Sequence, residues 1–159
     1  MLHTTLCYLN IDAKMLMLHR VKKKNDVNRD KWIGIGGKFE HGESPEECML
    51  REFREETGLT PTQWAYRGIV TFVSADWCEY MHLFTANAYK GEMRECDEGM
   101  LEWVPWESIT QLPIWEGDKV FLRLLQEREA FFSLKLVYDG ECLIRAVLDG
   151  RELPLGTDV

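Results

Sequence analysis

Residues 37–59 read GKFEHGESPEECMLREFREETGL, and a glycine-rich turn, Gly34-Ile35-Gly36-Gly37, leads into them. Ser44 has the signature of a helix N-cap, whose hydroxyl accepts a hydrogen bond from an orphan backbone N–H, and Glu47 follows where a capping box requires it. Pro45 suits the first helical position, and Gly58 suits the left-handed residue just past the helix end. The pattern predicts a helix over residues 45–57. At about 100° per residue, Glu55 lies about 60° to one side of Glu52 and Glu56 about 40° to the other, so three carboxylates share one face. Leu50 and Phe53, on an adjacent face, would anchor the helix to a core. Carboxylates stacked without partners repel and raise one another's pKa. A hard divalent cation, which takes oxygen ligands, would resolve that conflict. The competing reading is a solvated acidic face with Arg51–Glu55 as an ordinary helical ion pair.

The rest of the chain bounds what such a helix can serve. The 159 residues suit one domain, 1–159, with a sizeable core, and the 45% hydrophobic content is that of a globular protein. A net charge of −8 argues against non-specific binding of duplex nucleic acid. The five cysteines are scattered and odd in number, with no CxxC, so free thiols are expected and zinc is not. No signal peptide opens the chain and no apolar run nears membrane-spanning length, so no membrane partner and a cytoplasmic location are expected. Nothing in the pattern fixes an oligomeric state.

Residues 4–10 and 14–20 read as strands joined by a tight turn at residues 10–13. The following segment is basic: Arg20, Lys22, Lys23, Lys24, Arg29 and Lys31 are offset by Asp26 and Asp30. It is either a solvated loop or a flap over a polyphosphate. Residues 64–74 and 78–90 read as a long hairpin, 92–99 as an acidic loop holding Glu95, Asp97 and Glu98, and 100–106 as a further strand. Trp115-Glu116-Gly117-Asp118 precedes an amphipathic helix with an apolar stripe of Val120, Phe121, Leu124 and Leu125. Residues 133–138 and 142–148 read as a closing hairpin over Asp139-Gly140. A mixed sheet with two principal helices, an α/β architecture, is expected.

Gly37, then Glu43, then the run from Arg51 to Leu59 match the Nudix box at every fixed position, and the chain resembles the Nudix hydrolases. The resemblance implies an α/β/α sandwich and hydrolysis of a nucleoside diphosphate linked to another group. It implies Mg²⁺, with Mn²⁺ as a substitute, held by Glu52, Glu55, Glu56 and the carbonyl of Gly37. Arg51 would orient the carboxylates, and Glu43 would tether the loop. The general base would be Glu52 or a carboxylate outside the box, for which Glu98 is the candidate. Arg20, Gly36 and Lys38 are candidate substrate contacts, from the basic loop and the glycine turn.

Beyond the box, the Trp32–Lys38 stretch, Glu98 before a Leu-Glu-Trp-Val strand, the Trp115–Asp118 segment and the final Phe-Phe-Ser-Leu-Lys-Leu-Val-Tyr-Asp-Gly look like the bacterial MutX branch of the MutT group. That branch sanitises 8-oxo-dGTP. Trp115 is then a candidate stacking surface for a purine and Asp118 a candidate partner for its edge. Ile33 stands where the vertebrate cousins use asparagine, and Gly117 where they have aspartate, so base recognition differs here. The leading expectation is a small-molecule nucleotide substrate, 8-oxo-dGTP, cleaved to monophosphate and pyrophosphate. The alternatives are a Nudix enzyme for ADP-ribose, a dinucleoside polyphosphate or capped RNA, and a silent nucleotide-binding module.

Overall fold

The first strand sets the layering. Its even-numbered side chains Leu6 and Tyr8 are buried on one face, and its odd-numbered Cys7 and Leu9 on the other, because successive strand residues point to opposite sides. A computed structural model describes residues 1–156; the last three residues of the expected 1–159 domain lie outside the described residues. In chain order the elements are β1 (Leu2–Ile11), β2 (Lys14–His19), β3 (Trp32–Ile33), β4 (Ile35–Lys38), α1 (Pro45–Thr57), β5 (Leu59–Ser74) and β6 (Trp77–Gly91), then β7 (Met100–Pro105), α2 (Trp106–Ile109), α3 (Glu116–Glu127), β8 (Phe132–Asp139), β9 (Cys142–Leu148) and β10 (Arg151–Leu153).

One open mixed sheet runs β10-β9-β8-β5-β6-β1-β2-β3, with β4 on β1 and β7 on β2. The β1–β6 and β5–β8 pairs are parallel and the others antiparallel. Helix α1 lays Met49 and Phe53 on Cys7, Leu9, Ile35, Leu59 and Phe84. Helix α3 lays Phe121, Leu122, Leu124 and Leu125 on the opposite face, over Tyr8, Val70, Leu83 and Leu134. This is the expected sandwich of two principal helices about a mixed sheet. Among the described residues no helix is long and apolar enough to cross a membrane.

The helix predicted over 45–57 has those limits, with Ser44 as N-cap in a complete capping box and Gly58 left-handed at φ 82°. Other elements differ from expectation. Strand β5 starts at Leu59 rather than at residue 64, and register shifts between Pro61 and Trp64 let proline sit in it without a ladder hydrogen bond. Helix α3 starts at Glu116, so Gly117 and Asp118 lie in its first turn instead of preceding it. The short α2 and β10 were not expected: the one has no capping side chain, and the other is a three-residue edge strand.

Candidate active site

The strand-to-helix entry brings backbone and carboxylate into direct contact. A Cβ on Gly37 would come within 2.3 Å of the Glu52 carboxyl carbon, so only glycine lets Glu52 lie against the β4 backbone. Gly36 is needed for a different reason: a Cβ there would meet the Thr5 carbonyl oxygen at 1.7 Å, so it serves the packing of β4 on β1. The buried Cys48 thiol lies 3.5 Å from Thr5 Oγ1 and 3.8 Å from the Gly37 carbonyl oxygen, fastening α1 beneath the same turn.

Arg51 organises the acidic face. Its Nε and Nη2 donate to the two oxygens of Glu43 at 2.6 and 2.8 Å, and Nη2 also donates to the Lys38 carbonyl at 3.0 Å. Nη1 donates to Glu52 at 2.8 Å and to Glu55 at 3.2 Å. Hydrogen bonding to Arg51 holds the Glu43 carboxyl down at about 2. Glu43 also accepts from the Glu40 backbone N–H at 2.7 Å, which makes it the tether of the loop entering α1. Glu55 is 58% exposed and turned toward Arg51, and the Lys38 side chain faces solvent.

Glu56 lies on the inner side of this face. The residue as a whole is half-buried, yet its Oε2 is sealed from solvent with no donor aimed at it. Burial, then the neighbouring Glu98 and Glu52, raise its pKa; Glu52 is raised chiefly by its own burial, against Arg51. Glu98 is itself held low despite burial, by Lys23, Glu56 and Arg20, so the two neighbouring acids are pushed in opposite directions. Glu98 reaches this place because Arg94 donates to the Arg54 and Glu55 carbonyls at 3.0 and 2.6 Å, pinning the acidic loop to the end of α1. Arg20 donates to Asp26 and to Glu98, both at 2.7 Å, and Lys23 to Glu98 at 2.7 Å. The basic loop is therefore fastened to Glu98 at its root. Its two ends are joined by Arg20 N–H to the Lys31 carbonyl at 3.0 Å.

Glu52, Glu56, Glu98 and the Gly37 carbonyl offer only oxygen donors, which suits a hard cation. The sealed, donorless oxygen of Glu56 is the group such an ion would satisfy. Among the described residues no three acidic, histidine or cysteine side chains already converge as a closed ligand set. Glu52 and Glu55 are turned onto Arg51 instead.

A second cluster stands at the start of α3. Trp115 donates its ring N–H to Asn28 Oδ1 at 2.8 Å, meets Tyr138 edge-on at 5.6 Å, and carries Lys31 Nζ 4.9 Å above its ring. Asp118 is 4% exposed, and burial pushes its carboxyl up to about 8, with Lys31 opposing. A Cβ on Gly117 would meet Leu136 Cδ1 and the Tyr138 hydroxyl at 2.5 Å, so a side chain there would require those two residues to shift. In the sequence Lys31 is marked only as one cation of the basic segment, and Asn28, Arg94 and Tyr138 are not singled out as site residues. The Asn28–Trp115 bond alone spans 87 positions.

The NUDIX domain pattern matches residues 1–125. The chain is 32% identical over 145 residues to an uncharacterized Nudix hydrolase of Bacillus subtilis, YvcI, covering 86% of this chain and 87% of that protein. It is 30% identical over 132 residues to an oxidized purine nucleoside triphosphate hydrolase of Danio rerio, covering 82% and 85%. The crystal structure of a mutator MutT protein from Bacillus halodurans superposes with a TM-score of 0.84 at 28% identity, covering 94% of this chain and 98% of that one. With the box residues brought together along and before α1 on a matching sandwich, the chain belongs to the NUDIX family and is a Nudix hydrolase.

Proposed function

We propose that this hydrolase cleaves a purine nucleoside triphosphate, 8-oxo-dGTP foremost, to monophosphate and pyrophosphate with Mg²⁺, Mn²⁺ substituting. The observation that carries the reading is the sealed, donorless Glu56 oxygen beside Glu98 and Glu52, of which Glu52 lies against the Gly37 backbone. The ion would be held by Glu52, Glu56 and the Gly37 carbonyl, with Glu55 at the exposed edge. Bound there, it neutralises phosphate charge and lowers the pKa of a water.

The protein's own groups do the rest. Arg51 fixes the direction of Glu52 by sharing its fork between Glu43 and the metal-side carboxylates. Glu52 and Glu98 are the two candidate bases, and both border Glu56. Arg20 and Lys23 place positive charge beside Glu98, where they would face phosphate. Trp115 offers a stacking face and Asp118 a carboxyl group for the base edge. Residues 126–156 complete the sheet that carries Trp115's partner Tyr138, so the chain is read as one catalytic unit acting on small nucleotides; the cytoplasm is its proposed place of action.

The relative from Danio rerio, named for oxidized purine nucleoside triphosphates, supports the substrate class. The test is product analysis after incubating the protein with 8-oxo-dGTP. Monophosphate and pyrophosphate should appear with Mg²⁺ and stop in excess EDTA. Release of inorganic phosphate alone, or turnover in EDTA, would contradict the reading. Preferential cleavage of ADP-ribose would move the enzyme to another Nudix specificity.

A further inference from the structure

Lys31 differs from Arg20, Lys22 and Lys23 of its loop in what its ammonium touches. Arg20 and Lys23 are fastened to Glu98, and Lys22 donates to the Cys96 carbonyl at 2.8 Å. Among the described residues Lys31 makes no ion pair; its ammonium rests over the Trp115 ring. Its backbone is nevertheless pinned, donating to the Asn28 carbonyl at 2.8 Å and accepting from Arg20 at 3.0 Å. Asn28 in turn holds the Trp115 ring N–H, and Asp118 donates its backbone N–H to the Trp115 carbonyl at 3.0 Å. A cation on a flexible stem therefore rests on the Trp115 ring, and the buried carboxyl group of Asp118 lies within electrostatic reach of that cation, three residues along the chain from the ring.

We propose that Lys31 is a specificity-determining residue, donating a hydrogen bond to the exocyclic oxygen at C8 of an oxidised purine stacked on Trp115, while Asp118 accepts from the adjacent N7–H. This inference rests on the function proposed above and names the residue that reads the lesion. A base stacking on Trp115 enters where the ammonium now lies, and the pinned backbone keeps the displaced ammonium at the rim of the base. Oxidation at C8 creates an acceptor and a donor side by side, at C8 and N7. The ammonium is a donor for the one, and an oxygen of the Asp118 carboxyl group is an acceptor for the other. An unmodified purine has neither the C8 oxygen nor the N7–H and keeps only the N7 lone pair as an acceptor, so it satisfies at most one of the two protein groups where the oxidised base satisfies both.

The test is equilibrium binding of 8-oxo-dGMP and dGMP by calorimetry in EDTA, which needs neither metal nor turnover. The unaltered full-length protein, Lys31→Met and Lys31→Arg are compared, with thermal melts as the check on folding. The unaltered protein should favour 8-oxo-dGMP by at least about tenfold, and Lys31→Met should erase most of that ratio, with the larger loss on the oxidised nucleotide. Lys31→Arg, which keeps a donor on a long stem, should retain part of it. A ratio preserved in Lys31→Met would overturn the inference while leaving the proposed function standing. So would an equal loss for both nucleotides, which assigns Lys31 to phosphate, or an equal gain, which makes it a plug. No preference in the unaltered protein would overturn the inference and the substrate assignment together.

Discussion

At the scale of single residues, Glu56 and Asp118 are the two acids whose burial has a thermodynamic consequence. Replacing Glu56 by glutamine keeps the shape and removes a carboxyl group whose charged form is costly in that place. Glu56→Gln should lower kcat by at least about a hundredfold while the melting temperature in EDTA holds or rises. A near-normal kcat, or collapse of the fold, would show that Glu56 is not at the metal. Asp118 gives a pH test. Its carboxyl is pushed up to about 8 in the folded protein from an ordinary value of 3.8. The folded state thus retains a proton that the unfolded chain has lost. The associated stability is complete below the unfolded value and drains away as pH rises through the folded one. Asp118→Asn lacks this dependence, so its advantage in melting temperature should widen by a few degrees between pH 5 and pH 8. Parallel curves would contradict the burial of an uncompensated acid. The carboxylate triplet of α1 was legible from spacing alone. Its splay onto Arg51 was not, because rotamers follow from which donors lie nearby, here the fork that also grips Glu43 and the Lys38 carbonyl.

At the scale of elements, α1 was readable to its ends because each end carries a local signal. Ser44 and Glu47 exchange hydrogen bonds at 3.1 and 3.0 Å, and the left-handed Gly58 donates its N–H to the Arg54 carbonyl at 2.9 Å. Ser44→Ala should cost about 1 kcal/mol in chemical denaturation and leave kcat at saturating Mg²⁺ nearly unchanged. A fall in kcat without loss of stability would place Ser44 in the site. Helix α3 ends differently. Arg67, from β5, donates to the Leu125 carbonyl at 3.1 Å, to the Arg128 carbonyl, and to Thr85 Oγ1 at 3.2 Å. This cap comes from a strand distant in sequence, so no local motif announces it. Arg67→Met should cost about 1–3 kcal/mol, since it strands buried carbonyls, and should leave substrate KM unchanged. The same distinction explains β5. Its pattern was readable from residue 64, but the stretch from Leu59 joins the sheet only because β6 is long enough to pair with it past the irregularity at Pro61.

At the scale of the whole molecule, the sandwich holds two clusters on the two halves of one loop. The basic segment from Arg20 to Lys31 is anchored at Glu98 at one end and reaches Trp115 at the other. The acids proposed to hold the ion could be picked out because one helix carries most of them. Of the cluster proposed for the base, Trp115 and Asp118 stood out in one segment and Lys31 only as one of the loop's cations, whereas Asn28 and Tyr138 arrive from elements with no local signal. If the two clusters act on one nucleotide, activity should require the divalent ion for any substrate, whereas discrimination among bases should survive a change of metal. Replacing Mg²⁺ by Mn²⁺ should then alter kcat for 8-oxo-dGTP and dGTP by similar factors. A metal-dependent reversal of preference would contradict that division. The most direct measurement is kcat/KM for 8-oxo-dGTP against dGTP, determined side by side at saturating Mg²⁺. The expected result is a preference of at least about tenfold for the oxidised nucleotide, a difference of about 1.4 kcal/mol in transition-state binding. Equal values for the two nucleotides would contradict it.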